Sequence, residues 1–273
     1  MNQALYTVAL VTEVFFDDLE GTRLRACLAE AKRQGADLAV LPELPLNPWS
    51  PARKTPVDED AEAPEGPRHR QQAEAAQEVG IAVLGGAIVR DPVTGQRYNT
   101  ALLFDADGAL VTAYQKLHLP DEEGFWEADH YEPGLEAPRA VDGLGPSVGI
   151  QICSDINRPA GAQLLAAQGV EIVLAPRATD RSNYPRWRLV YQAVALTSTA
   201  YVVSVNRPRP EDGVPLGGPS LVVSPGGNVM VEIEDPLVVV SLDVSKVGRL
   251  REEYPGYMPF PASVYAEGWQ RLI

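Results

Sequence analysis

The sequence has few of the residues from which metal sites and disulfide scaffolds are built. Among its 273 residues are two cysteines and three histidines, and neither type shows the paired spacing of metal ligands. Cys27 and Cys153 lie far apart in different surroundings, so both are predicted to be free thiols. The Gly-rich phosphate loops of nucleotide-binding proteins and the GxSxG motif of serine hydrolases are also missing. We therefore expect neither a metal nor a cofactor.

Positive charge is scarce as well. The 23 Lys and Arg residues face 37 Asp and Glu residues, and the net charge of −14 would oppose binding to the phosphates of nucleic acid. No apolar run approaches the roughly 20 residues that a membrane-spanning helix requires. The N-terminal stretch MNQALYTVALVTEVFF lacks the basic start and cleavage site of a signal peptide. The sequence thus predicts a cytoplasmic protein that binds neither nucleic acid nor a membrane.

Apolar residues, in contrast, make up 45% of the chain and occur in short runs between polar helical segments. This alternation is typical of a layered α/β sheet. Turn residues between alternating runs predict hairpins at 98–116 and 220–233. No linker interrupts the pattern, so we expect one α/β domain over residues 1–273. Strands are predicted at 5–11, 36–43, 81–90, 147–153, 170–175 and 200–206, and helices at 17–35, 67–79, 159–168 and 185–198.

Three reactive residues, Glu43, Lys116 and Cys153, each follow a predicted apolar strand. Ligands of open α/β sheets bind at the carboxyl ends of strands, so the three side chains are predicted to share a pocket. A thiol attacks as its thiolate, which requires a cation such as Lys116 to lower its pKa or a base such as Glu43 to take its proton. The Lys116 ammonium and the Ser154 backbone N–H would stabilise the resulting oxyanion. Taken singly, the three residues also have structural interpretations: a buried apolar thiol, a capping carboxylate and a surface lysine.

The sequence around these residues resembles the three signature blocks of the nitrilase superfamily, the carbon–nitrogen hydrolases. The blocks are LAVLPELPLN around Glu43, YQKLHLPDEEGFWEADHYEPG at 114–134, and VGIQICSDINRPAGAQLLAAQGVEIVLAPRA at 148–178. Smaller matches continue through AYVVSVNRP at 200–208 and LGGPSLVVSPGGNV at 216–229 to a final acidic hairpin. The resemblance therefore covers nearly the whole chain.

Membership of this family implies a four-layer αββα sandwich whose subunits pair through the helices flanking the cysteine, as a homodimer or a higher homo-oligomer. It implies that Glu43 is the general base, that Lys116 stabilises the tetrahedral intermediate, and that Cys153 forms a thioester-type acyl-enzyme without any cofactor. Many members have a second glutamate that orients the lysine and the attacking water. The segment GFWEADHYEPG gives Glu127 this role, with Glu122, Glu123 and Glu132 as rivals.

The resemblance also narrows the substrate. Ser154-Asp155 follow the cysteine, where nitrilases typically have Trp-Glu, which favours a small linear amide or an N-carbamoyl amine over a nitrile. Nitrile hydrolysis and a catalytically silent ligand-binding or assembly protein of the same fold remain the alternatives. A Pro-Glu step followed by Arg in many relatives is replaced here by Pro159-Ala160 and Gln163.

The loops after the strands supply the candidate substrate-binding residues. Arg158 or Arg177 would hold a substrate carboxylate through a bidentate pair, unless either forms a structural salt bridge. Trp49 and Trp126 would shape an apolar wall or contribute to subunit contacts. Asn157 completes the set, while the neighbouring acidic residues Asp129 and Glu132 would instead favour a cationic substrate tail.

Overall fold

The structure is a computed structural model, and it describes residues 5–272. The strands are β1 (Leu5–Val11), β2 (Leu38–Val40), β3 (Ala61–Glu62), β4 (Ala82–Arg90), β5 (Arg97–Phe104), β6 (Leu110–Gln115), β7 (Asp121–Glu122), β8 (Phe125–Trp126), β9 (Val148–Ile150), β10 (Ile172–Leu174), β11 (Tyr201–Ser204), β12 (Ser220–Val223), β13 (Val229–Ile233) and β14 (Leu237–Asp243). The α-helices are α1 (Thr22–Arg33), α2 (Pro67–Val79), α3 (Glu127–His130), α4 (Pro159–Ala167), α5 (Tyr184–Ser198), α6 (Ser245–Arg251) and α7 (Ala262–Gln270).

Two large β-sheets pack face to face. The first has the order β14-β1-β2-β4-β5-β6, with β3 paired to β4, and the second has the order β13-β12-β11-β10-β9. Apolar side chains from both sheets form one buried cluster between them, including Leu10 and Leu103 from the first sheet and Ile172 and Val203 from the second. Burial of this apolar surface is the main favourable contribution to folding.

The helices cover the outer faces of the two sheets. Leu24 and Leu28 of α1 and Ala76 of α2 pack on the first sheet, while Leu165 of α4 and Tyr191 of α5 pack on the second. The order of layers is therefore helix, sheet, sheet, helix, and the predicted four-layer αββα sandwich is confirmed.

Several predicted elements are shorter in the structure, and the reasons are local. Helix α1 begins at Thr22 rather than at residue 17, because Asp18 lies before the helix and its carboxylate accepts the Leu24 N–H at 2.9 Å. The strands predicted at 36–43 and 147–153 end at Val40 and Ile150. Glu43 and Cys153 thus lie beyond the regular ladder, where the chain bends away from the sheet.

The acidic segment after β13 does not form the expected hairpin. β13 pairs antiparallel with β12 in the second sheet, whereas β14 pairs antiparallel with β1 in the first. The chain crosses from one sheet to the other through Glu234, Asp235 and Pro236, and it therefore joins the two halves of the sandwich. No helix in the described part of the chain is long and apolar enough to span a membrane.

The direction of the strands brings distant parts of the sequence to one edge. β2 and β4 are parallel, and β5 runs antiparallel to both β4 and β6. β2 and β6 therefore end on the same side of the first sheet, and the segments carrying Glu43 and Lys116 leave the sheet together.

Candidate active site

Lys116 lies at the centre of a buried cluster of charges. It directly follows β6, its side chain is fully buried, and its ammonium donates to Glu43 Oε1 at 2.7 Å. It also donates to Glu127 Oε1 at 2.6 Å and to Glu127 Oε2 at 2.8 Å. Burial alone would lower the pKa of Lys116, but the two carboxylates more than offset this effect and raise the pKa well above its usual value. The lysine is therefore protonated at neutral pH.

Glu127 is the second carboxylate of the cluster. It begins the short helix α3 after the β8 strand, and it is completely buried. Burial raises the pKa of Glu127 to about 7, with the Glu43 carboxylate adding to the rise and the Lys116 ammonium opposing it. The rival glutamates, Glu122, Glu123 and Glu132, are all exposed. The structure thus brings Glu127, and none of its rivals, to Lys116.

Cys153 lies at the start of a 3-10 helix, Cys153–Asn157, that follows β9. Its φ of 46° is in the left-handed region, which is strained for a residue with a side chain. Its Sγ lies 3.7 Å from the Ala178 carbonyl oxygen and is almost completely buried. Burial and the Glu43 carboxylate raise the pKa of the Cys153 thiol well above its usual value, against the effect of Lys116. The resting cysteine is therefore a neutral thiol rather than a thiolate.

Asp155 connects the cysteine turn to the end of the lysine strand. One oxygen of its buried carboxylate accepts the backbone N–H groups of Leu117 and His118 at 3.1 and 2.9 Å and contacts His118 Nδ1 at 2.8 Å. The other accepts the Tyr114 hydroxyl at 2.9 Å and the Ile152 N–H at 3.2 Å. These bonds fix the chain on either side of the two reactive residues. From the sequence, Asp155 indicated only the class of substrate, and its hydrogen bonds to both segments were not predicted.

Arg207 holds the loop that carries Glu43. Its fully buried guanidinium donates to the carbonyl oxygens of Glu43, Leu44 and Asn47 at 3.0, 2.9 and 3.0 Å. The charge of Arg207 is balanced by Glu211 at 2.6 Å. A buried arginine paired in this way satisfies loop carbonyls that no strand could satisfy. An arginine just after a buried strand was the one signal in the sequence, and it did not identify these partners.

The two tryptophans predicted to shape the pocket have different surroundings. Trp49 is buried, its indole N–H donates to the Gly124 carbonyl at 2.9 Å, and its ring meets Phe125 edge-on at 5.8 Å. Trp126 is half-buried, and the Lys54 ammonium lies 4.0 Å from its ring centroid. Trp49 is therefore a buried contact between loops, whereas Trp126 retains exposed surface next to Glu127.

The polar residues predicted to bind substrate do not join the buried cluster. Asn157 and Arg158 are exposed at the end of the 3-10 helix. Arg177 is fully buried, and its three guanidinium nitrogens donate to Ser204 Oγ, Thr179 Oγ1 and the Pro219 carbonyl. These contacts argue against the predicted role of Arg177 in holding a substrate carboxylate. They also differ from the predicted alternative, a salt bridge, because none of the three acceptors is charged.

The oxyanion donor predicted at Ser154 directly follows Cys153 in the first turn of the 3-10 helix, where N–H groups have no partner within the helix. Its hydroxyl donates to the His118 carbonyl. Within residues 5–272, no group of three or more His, Cys, Asp or Glu side chains is arranged to hold a metal ion. The chemistry that the cluster offers is a thiol, a base, an ammonium and an amide donor.

Comparison with known proteins agrees with the fold. The carbon-nitrogen hydrolase family model matches residues 18–252. Omega-amidase NIT2-A of Xenopus laevis is 31% identical over 257 residues, covering 90% of each chain. The structure of Saccharomyces cerevisiae Nit3, a member of branch 10 of the nitrilase superfamily, superposes with a TM-score of 0.81 at 25% identity, covering 92% of this chain and 94% of that one. An amidase from Nesterenkonia sp. superposes with a TM-score of 0.74 at 26% identity, covering 91% and 94%. The resemblance predicted from the sequence is therefore confirmed, and the chain belongs to the carbon–nitrogen hydrolase family.

Proposed function

We propose that the protein hydrolyses the carbon–nitrogen bond of a small linear amide or N-carbamoyl amine through Cys153, Glu43 and Lys116. The observation that carries the proposal is the buried lysine, whose ammonium lies within 2.8 Å of carboxylate oxygens from both Glu43 and Glu127. The charges of Lys116, Glu43 and Glu127 all act on the pKa of the Cys153 thiol. The amidase names of the relatives support an amide as the bond that is broken.

The charges favour one of the two ways of activating the thiol. Lys116 lowers the pKa of Cys153, but burial and Glu43 outweigh it, so a preformed thiolate is disfavoured. Glu43 Oε2 is buried and has no hydrogen-bond partner in the described chain. We infer that this oxygen accepts the thiol proton as sulfur attacks the carbonyl carbon.

The reaction then proceeds in two halves. In the first, the Cys153 sulfur bonds to the carbonyl carbon, the thiol proton passes through Glu43 to the nitrogen, and the carbon–nitrogen bond breaks to release ammonia. In the second, Glu43 takes a proton from water as the water oxygen attacks the thioester, and the proton returns to sulfur as the acid leaves. Lys116 and the Ser154 N–H stabilise the oxyanion in both halves. Glu127 keeps Lys116 in place.

A panel of small compounds tests the proposal. The purified protein is offered neutral short-chain amides, monoamides of short dicarboxylic acids, N-carbamoyl amines, N-carbamoyl amino acids and matched nitriles, and the release of ammonia is measured. We expect release from at least one amide or carbamoyl class and little from the nitriles, because the substrate must present a carbonyl to the oxyanion donors. The classes that respond identify the charge of the tail that the site accepts.

The panel also separates the alternatives. Ammonia from nitriles alone would replace amide hydrolysis with nitrile hydrolysis. Silence on every compound, from a protein that binds some of them by calorimetry, would favour a ligand-binding role for the same fold.

We further propose a homodimer, formed through the outer faces of α4 and α5. Leu164, Leu189 and Leu196 on these helices are exposed, Leu189 by 67%. Exposed leucines on two helices that pack against each other are typical of an interface. Light scattering after size exclusion should give twice the mass of one chain, and Leu189→Glu should shift the protein towards the monomer. Leu19→Glu, at a still more exposed leucine in the loop before α1, is the control and should leave the mass unchanged. A monomeric wild-type protein would contradict the proposal.

A cytoplasmic location also stays a proposal. A catalytic thiol remains active only under reducing conditions, which the cytoplasm maintains. Cell fractionation would check it, and recovery of the protein from an oxidising compartment would count against it.

A further inference from the structure

Asn99 is a buried polar residue that touches the reactive cluster from the neighbouring strand. It lies on β5, and its carbonyl accepts the Lys116 N–H at 2.9 Å, so the two residues stand side by side. Its side-chain amide donates to Glu43 Oε1 at 2.7 Å and approaches Glu127 Oε2 at 3.4 Å. Asn99 is therefore the neutral donor between two carboxylates that would otherwise repel each other.

The pattern of bonds on Glu43 shows what this contact achieves. Oε1 accepts from both Lys116 and Asn99, each at 2.7 Å. Oε2 is the carboxylate oxygen left without a partner in the described chain. Two donors on one oxygen hold the plane of the carboxylate, because rotation about the Cγ–Cδ bond would have to break both bonds before the other oxygen could take the same place.

We propose that Asn99 is a positioning residue that holds the carboxylates of Glu43 and Glu127 in one orientation. Glu43 Oε2 then stays directed to the proton of the Cys153 thiol, and Glu127 stays paired with Lys116. The proposal rests on the proposed amide hydrolysis and deepens it, because it says what keeps the base aligned before substrate binds. Asn99 does not itself need to touch the substrate.

This role predicts an effect on the pH profile. A donor to a carboxylate stabilises its charged form and lowers its pKa, so removal of the donor raises the pKa. The groups that face Glu127 are Glu43, Lys116, Cys153 and Tyr131, which belong to four different segments. Lys116 is the cation among them, and its charge does not change over the range of the experiment. The shift would therefore report on the carboxylates.

The test compares wild type with Asn99→Leu, which removes the donor and keeps the branching of the side chain at a somewhat larger volume. We expect kcat to fall by about 10- to 100-fold with KM changed less than about threefold, the scale of losing a positioned donor. The acidic limb of the kcat/KM profile should move to higher pH by about one unit, as expected for losing one hydrogen bond to a charged group. Asn99→Ala serves the same purpose if the leucine variant does not fold. The control is Thr100→Val, the next buried position, whose hydroxyl bonds the Tyr98 carbonyl and contacts none of the cluster.

A second readout does not depend on turnover. In a Cys27→Ser background, the rate at which iodoacetamide alkylates Cys153 is followed between pH 5 and 8. Because the buried carboxylates assist removal of the thiol proton only in their charged form, and Asn99 lowers the pKa of Glu127, the acidic midpoint of this rate should also rise in Asn99→Leu. If wild type hydrolyses no compound but the alkylation midpoint still shifts in Asn99→Leu, the positioning role stands and the proposed function fails. Unchanged midpoints in both assays, with kcat lowered only as far as in Thr100→Val, would overturn the proposal and leave Asn99 a structural residue.

Discussion

Cys153→Ala should abolish ammonia release while leaving the fold intact. The variant removes the sulfur that we propose forms the acyl-enzyme, and the loss of a covalent nucleophile should lower kcat by at least about 10⁴-fold. The side chain is small and its loss leaves Glu43, Glu127 and Lys116 in place, so the midpoint of thermal unfolding should change by only a few degrees. The measurement is ammonia release on the best substrate of the panel, together with a circular dichroism melt.

The matched control for this variant is the second cysteine. Cys27 lies on α1, half-buried against the outer face of the first sheet, and burial raises the pKa of its thiol. Cys27→Ala should retain full activity. Mass spectrometry adds an independent test, because wild type quenched in acid during turnover should carry an acyl group on the peptide that contains Cys153. Activity within tenfold of wild type in Cys153→Ala would exclude a cysteine mechanism.

Lys116→Met should be nearly as damaging to activity and also costly to stability. It keeps the length of the side chain but leaves Glu43 and Glu127 buried without their cation. Removing one partner of a buried ion pair typically costs about 3–5 kcal/mol of unfolding free energy. Without the ammonium the oxyanion loses a donor, and we expect kcat to fall by at least about 10³-fold.

The loss of the Lys116 charge should also change the protonation of the two carboxylates. With no cation between them, one of the two carboxylates should take up a proton at neutral pH, because burial and mutual repulsion both favour the neutral form. Unfolding by urea at pH 6 and pH 8 should therefore show that the penalty is larger at pH 8, where keeping that proton costs more. Lys32→Met, at an exposed position of α1, is the control and should change neither activity nor stability. A folded Lys116→Met protein with kcat near wild type would show that the ammonium is not needed.

Local patterns in the sequence predicted much of the fold because they depend on neighbours along the chain. The helix predicted at 67–79 has those bounds in α2, and the hairpin at 98–116 forms around Asp107-Gly108. The register of that hairpin pairs Thr100 with Gln115, which brings Asn99 beside Lys116. The sequence therefore held a signal for Asn99 that was missed, since a polar residue facing the lysine across a buried hairpin needs a partner.

Contacts between distant segments could not be predicted from such local patterns. The final acidic hairpin was wrong because β14 finds its partner in β1, more than 200 residues earlier in the chain. Arg177 follows a strand as a ligand-binding residue would, but its guanidinium lies within 6 Å of the rings of Tyr184 and Tyr191 on α5. The surroundings of a side chain that leaves a sheet depend on what packs over it, and that is decided by other segments.

The sequence by itself determined the family, the layered α/β class, and which residue types lie at the strand ends. These follow from composition, from the periodicity of apolar residues and from short sequence motifs. Only the tertiary structure decided the protonation of those residues and their contacts. The pKa of the Cys153 thiol depends on its burial and on charges from Glu43, Lys116 and Glu127, which precede it in the chain by 26 to 110 positions. Electrostatic energy varies with distance in space and with the exclusion of water, and a linear sequence specifies neither until the two sheets have packed.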